Sequence, residues 1–293
     1  MTTYERSEGL WLPLATPFSG GRLDVISLRR MIHHYSNTDI SGFILAATTG
    51  EGQLLSSEES ELLVKTSANE LLALGSRQKL YLGISGSDPV KLIEETSRTA
   101  DWPIEGYLVS GPNYLRPSQI GLLAFFTSIA ESTKKSVMLY NIPYRTGVNI
   151  ENDTMLVLAE VPNVTGVKDC CGNAEQSYDL LRRAPDNFSV LTGEDPFFYS
   201  AMVHGAVGAI VTGAHILVEH HLKIMGEISN GDQRSALGTW NRIAHIPRLL
   251  FAEPNPAPLK YWLNRKGLID SYEVRSPFLP VSEELASKLD ELG

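Results

Sequence analysis

The chain has 293 residues, 43% of them hydrophobic and 20% charged, with a net charge of −9. That apolar share supports a full core and excludes a disordered chain, while an acidic balance with no basic block excludes nucleic acid as the main partner. No apolar run approaches the roughly 18 residues that span a bilayer, so no membrane partner is expected.

The start, Met-Thr-Thr-Tyr-Glu-Arg-Ser-Glu, lacks the basic and apolar layout of a signal peptide. Two adjacent cysteines, Cys170 and Cys171, cannot build a disulfide framework. Together these features predict a soluble protein of the reducing cytoplasm.

Short β-rich runs alternate with longer stretches of helical period. The strands are predicted at Leu10–Thr16, Gly42–Thr48, Lys79–Ser85, Gly106–Ser110, Ser136–Asn141, Val164–Lys168, Phe188–Thr192 and Gly208–Thr212. Helices are predicted between them at 27–37, 57–74, 89–99, 117–133, 151–160, 174–183, 195–204 and 214–228. Several open on start signals such as Ser57-Glu58-Glu59 and Pro117-Ser118. Eight strand–helix units close most simply as an α/β fold of the (β/α)₈ TIM-barrel type. The open doubly wound sheet is the alternative, but no Gly-x-Gly-x-x-Gly follows the first strand. The barrel is therefore assigned to 1–230. The strand signals then stop, and 231–293 reads as a C-terminal helical region with helices at 232–244, 257–266 and 282–292.

A barrel's chemistry sits at the carboxyl ends of its strands. The second ends in Thr48-Thr49-Gly50-Glu51, hydroxyls and backbone N–H groups suited to a carboxylate. The fourth leads to Pro112-Asn113-Tyr114-Leu115-Arg116, and the fifth to Tyr140 and Arg145. The sixth ends in Lys168, and the seventh in Thr192-Gly193-Glu194. A lysine at the end of a packed strand is desolvated, which lowers its pKa and turns the amine into a carbonyl nucleophile. Singly, each feature has a bland reading: a turn glycine, a rim aromatic, a surface arginine, a lysine in solvent. Their convergence at one end of one barrel suits Schiff-base chemistry on a 2-oxo acid. Tyr140 would relay protons and the anion cradle would fix the substrate.

Other chemistries lack their motifs. His-Glu-x-x-His, Gly-x-Ser-x-Gly and the phosphate-binding loop are absent. His33-His34 and His220-His221 are neighbours that diverge, and read as surface residues rather than metal ligands. Cys170-Cys171 reads as small-residue packing.

The set Thr-Thr-Gly-Glu, Leu-Tyr-Asn-Ile-Pro-x-Arg-Thr-Gly, Gly-Val-Lys-Asp and Glu-Pro-Asn-Pro-x-Pro-x-Lys resembles the dihydrodipicolinate synthase (4-hydroxy-tetrahydrodipicolinate synthase) family. That family lies in the superfamily that also holds N-acetylneuraminate lyase. The resemblance runs from about Leu10 to Leu292. It implies a lyase that condenses pyruvate with L-aspartate 4-semialdehyde in lysine and diaminopimelate biosynthesis, with no metal and no organic cofactor. Lys168 matches the imine-forming lysine, and Tyr140 the proton relay with Thr48 and Tyr114 as its partners. Thr49 matches the holder of the pyruvate carboxylate, with Ile210 lining the same pocket. Arg145 matches the binder of the aldehyde's carboxylate, and Gly193 lies where that substrate packs. The family's second tyrosine enters from a neighbouring subunit, which implies at least a dimer, and the family is usually a homotetramer, so a homo-oligomer, a tetramer built from dimers, is expected.

The departures fall on the rim. Asn113-Tyr114-Leu115 stands for a tyrosine pair and an asparagine, Asp169-Cys170-Cys171 for Glu-Ala-Thr, and the surroundings of Ser85-Gly86-Ser87 differ. They keep two alternatives open: an aldolase for a sugar-derived 2-oxo acid, and a catalytically silent 2-oxo-acid-binding paralogue. At the positions matching the family's lysine-inhibition site stand Gly52, Gln53, Ser57, Ser60, Ser87, Lys91 and Asn113. Lys91 replaces a glutamate and Asn113 a tyrosine, so inhibition by L-lysine is expected to be absent.

Overall fold

The structure, a computed structural model, describes residues 4–292. The reading of the N-terminal start therefore falls partly on residues 1–3, which lie outside the described residues, as does Gly293. β1 (Gly9–Pro13) is followed by a small antiparallel hairpin of β2 (Phe18–Ser19) and β3 (Arg22–Leu23). Then come β4 (Gly42–Leu45), β5 (Lys79–Ile84), β6 (Gly106–Ser110), β7 (Ser136–Asn141), β8 (Val164–Asp169), β9 (Ser189–Thr192) and β10 (Gly208–Ile210). Among the described residues, β1 and β4–β10 form a closed barrel in the order β1-β10-β9-β8-β7-β6-β5-β4. This is the TIM barrel expected from the sequence, with all eight predicted strands present. The hairpin was not foreseen, because two-residue strands carry no periodicity.

The reason for these elements is local. β6, β7 and β8 are buried at every residue, as strands of a parallel sheet covered on both faces must be. Helix Ser57–Ala73 opens on a capping box in which Ser56 and Glu59 satisfy each other's backbone N–H, worth about 1 kcal/mol. Helix Pro89–Arg98 starts on Asp88 as cap with proline in its first turn, where the missing N–H costs nothing.

The chain clusters into two compact units. One joins Tyr81–Ile210 to the described N-terminus up to Gly9. Its core includes Tyr107, Phe126, Met138, Met155, Leu180 and Phe198, all buried. The other joins Leu10–Leu80 to the chain from Val211 onward. There helix Val25–Ser36 meets the C-terminal segments: Tyr35 donates to the His215 carbonyl at 2.8 Å, and Arg30 pairs with Asp270 at 2.7 Å. The segment 231–293 holds helices Gln233–Ile243, Ile246–Leu250, Ala257–Arg265 and Glu283–Asp290.

One expectation is corrected. His33, His34 and His220 are exposed, but His221 is fully buried, with Nδ1 against the Leu217 carbonyl at 2.9 Å. Adjacent helical residues point about 100° apart, so one member of such a pair can enter the core. Burial lowers its pKa to about 4 and keeps it neutral. Among the described residues, no helix is long and apolar enough to cross a membrane, and no group of His, Cys, Asp and Glu is placed to hold a metal ion.

Candidate active site

In the unit around β6–β10, parallel pairing aligns Ser110 with Tyr140, Tyr140 with Lys168, and Lys168 with Leu191. Paired residues of neighbouring strands share a face, so Lys168 and Tyr140 project together. The Lys168 amine lies 4.4 Å from the centre of the Tyr140 ring. Lys168 is 5% exposed, and no salt bridge among the described residues engages it. Burial pushes its pKa below the ordinary lysine range.

Gly193 follows β9 and faces this lysine. A Cβ there would lie 2.6 Å from Lys168 Cε and would overlap the Cys170 sulfur as well. Only glycine fits. Cys170, read from the sequence as packing, is buried between these groups, and burial raises its thiol well above the usual range, so it stands neutral. Glu194 is half-buried, and burial raises its carboxyl too, against the pull of Lys168. Its position just past the end of β9 was the available signal for it. Ile210 ends β10, fully buried.

At the rim of the same unit, Arg145 lies in the short helix Pro143–Thr146, exposed, with its guanidinium 5.3 Å from the Tyr144 ring centre. No salt bridge among the described residues occupies it. Tyr114 is 91% exposed, and its backbone takes a positive φ of 70°. Its N–H donates to the Thr146 carbonyl at 3.0 Å, tying its loop to the arginine's. A large aromatic held in solvent by left-handed backbone contributes nothing to its own chain's core.

In the other unit, the end of β4 winds into a tight loop. Ala46 and Glu51 both carry positive φ, 53° and 52°, a strain on the order of 1 kcal/mol or more each. The Thr48 carbonyl accepts from the Glu51 N–H at 3.1 Å, and the Thr16 hydroxyl donates to the Gly50 carbonyl at 2.7 Å. Thr48 is half-buried and Thr49 buried. The Thr49 hydroxyl accepts from Asn255 Nδ2 at 3.0 Å and lies 3.4 Å from that of Thr212. Glu51 carries a fully buried ion pair with Lys260. Asn255 and Lys260 were legible only as members of a motif, because nothing local indicates what they touch.

Lys168, Tyr140, Cys170, Gly193 and Glu194 come together at the carboxyl ends of β7–β9, where burial lowers the Lys168 pKa and raises those of Cys170 and Glu194. Thr48–Gly50 forms a hydrogen-bonded loop of hydroxyls and amides. The family model for the dihydrodipicolinate synthetase family matches residues 6–292. A 4-hydroxy-tetrahydrodipicolinate synthase of Clostridium acetobutylicum is 43% identical over 97% of this chain and 98% of its own. The 4-hydroxy-tetrahydrodipicolinate synthase of Methylacidiphilum fumariolicum SolV superposes with a TM-score of 0.92 at 30% identity, covering 98% of this chain and 94% of its own. The chloride-inhibited dihydrodipicolinate synthase of Acinetobacter baumannii, solved with pyruvate, gives 0.91 at 30% identity over 97% of both chains. With a family-wide sequence match, a barrel of the same topology and a buried lysine at the end of its sixth barrel strand, the chain belongs to the dihydrodipicolinate synthetase family.

Proposed function

We propose that the chain is a Schiff-base lyase that condenses pyruvate with L-aspartate 4-semialdehyde to 4-hydroxy-tetrahydrodipicolinate, a step of lysine and diaminopimelate biosynthesis. The observation that carries this is Lys168, buried, free of any salt bridge among the described residues and packed on Tyr140. Its neutral amine attacks C2 of pyruvate, and loss of water gives the imine. Removal of a C3 proton gives the enamine, whose C3 attacks the aldehyde carbon. The amine of the former aldehyde then attacks C2, closing the ring and releasing Lys168.

Tyr140 relays protons in these transfers, with Thr48 and Tyr114 as its partners. Thr49 and its backbone hold the pyruvate carboxylate, and Ile210 lines that pocket. Arg145 pairs with the carboxylate of the semialdehyde, and Gly193 leaves room beside Lys168. The working form is a homotetramer of the cytoplasm, and the exposed Tyr114 ring serves the neighbouring subunit.

Steady-state rates with pyruvate plus aspartate semialdehyde, N-acetylmannosamine or glyceraldehyde test the reaction. The semialdehyde should dominate. A preference for either sugar would return the chain to the aldolases, and pyruvate binding without turnover of any aldehyde would mark a silent paralogue. Sedimentation at working concentration tests the tetramer.

A further inference from the structure

The Glu51–Lys260 pair lies outside the reacting groups, yet it is built with care. Both side chains are 0% exposed. The Glu51 carboxylate also accepts the Arg275 N–H at 2.8 Å, and Lys260 donates to the Glu273 carbonyl at 2.9 Å. The Lys260 ammonium stands 4.2 Å from the Phe18 ring centre, with the Arg275 guanidinium at 4.1 Å from the same ring. Arg275 in turn donates to the Leu54 carbonyl at 2.7 Å and pairs with Glu59. The C-terminal segment therefore grips the strained loop after β4 at two points, Glu51 and Leu54.

A buried ion pair is weak evidence for stability, since apolar residues of similar volume are often as good or better. What charges and directional hydrogen bonds do supply is a fixed geometry. Glu51 follows Thr48-Thr49-Gly50 directly, its backbone takes a positive φ of 52°, and its N–H donates to the Thr48 carbonyl at 3.1 Å. Gly52 completes the constraint, because a Cβ there would overlap the Ala46 carbonyl.

We propose that Glu51 and Lys260 are positioning residues for the anion-holding loop. They lock Thr48–Gly50 in the conformation that receives the carboxylate of the 2-oxo acid. They touch no substrate, and the proposal rests on the reading of Thr49 as the carboxylate holder.

The test compares Lys260→Met, Lys260→Arg and the double variant Glu51→Gln/Lys260→Met with the full-length wild-type enzyme. Lys260→Met should raise the pyruvate KM roughly ten- to hundredfold, as expected for loss of a well-oriented anion contact. Its kcat and semialdehyde KM should stay within about threefold, and borohydride should still trap pyruvate on Lys168 at saturation. The double variant removes the unpaired charge and should recover most of the lost melting temperature while keeping the raised pyruvate KM. Lys260→Arg should recover part of the affinity. A pyruvate KM that returns to normal along with stability in the double variant would overturn the proposal, as would a uniform loss of kcat. Thr49→Val separates the two readings. If it leaves the pyruvate KM unchanged, the cradle reading itself fails. If it raises the KM while the pair variants do not, only the positioning role fails.

Discussion

Lys168 and Lys260 are both withdrawn from water, at 5% and 0% exposure, but their neighbours differ in kind. Around Lys168 stand an aromatic ring, a neutral thiol and a glycine, with the Glu194 and Asp195 carboxyls acting through space but no salt bridge among the described residues. Around Lys260 stand a carboxylate in contact and a backbone carbonyl. Burial lowers both pKa values, that of Lys260 to about 8, with Glu51 opposing the fall. At neutral pH the paired lysine stays an ammonium and fixes geometry. Burial alone therefore does not make a lysine a nucleophile. What separates the two is whether a carboxylate stands in direct contact with the amine.

The largest expected effect tests the nucleophile. Lys168→Ala should lower kcat/KM by roughly a thousandfold or more, as for other covalent nucleophiles, and no peptide should gain the mass of a reduced pyruvate adduct. A trapped adduct on another lysine would reverse the comparison. Gly193→Ala is next, since its methyl would overlap both Lys168 Cε and the Cys170 sulfur. Imine formation should slow by about a hundredfold, and overpacking should cost about 1–3 kcal/mol of stability by denaturant titration. Arg145→Ala should weaken use of the semialdehyde roughly ten- to hundredfold, from a bidentate contact worth about 1.5–3 kcal/mol. Imine formation with pyruvate should survive, and equal damage to both half-reactions would make Arg145 structural.

The pH dependence sharpens the same comparison. Because the folded pKa of Lys168 lies below that of a free lysine, the amine is already unprotonated at pH values where free lysine is charged. The single-turnover rate of imine formation should hold down to that lowered value, then fall about tenfold per pH unit. Between the two pKa values the unfolded chain binds the extra proton, so this group's contribution to stability rises with pH across that window. A rate that falls directly below pH 10 would contradict the desolvated amine. The smallest expected effect is none. Millimolar L-lysine should leave the rate unchanged, because Lys91 would repel a cationic ligand and Asn113 lacks a ring to pack on it. Half-inhibition below that range, abolished by Asn113→Ala, would overturn this.

The barrel strands were legible because each is a short apolar run closed by turn, small or polar residues, and Lys168, Tyr140 and Thr49 lie near run ends, where a barrel keeps its chemistry. The β2–β3 hairpin was too short to show a period. Burial of His221 was illegible because the sequence shows two adjacent histidines but not which side of the helix meets the core. The left-handed turns at Ala46 and Glu51 were hidden too, since neither residue type announces positive φ. Lys260 was legible as the end of a motif, but its partner was not, because that partner lies 209 residues away.

That separation also has a consequence in time. The ribosome adds about 5–20 residues per second, so on the order of 10–40 s separate the emergence of Glu51 from that of Lys260. Throughout that interval the loop bearing Thr48 and Thr49 exists without the cation that closes over it. The loop that opens the sequence of binding groups is among the last to be finished on the nascent chain.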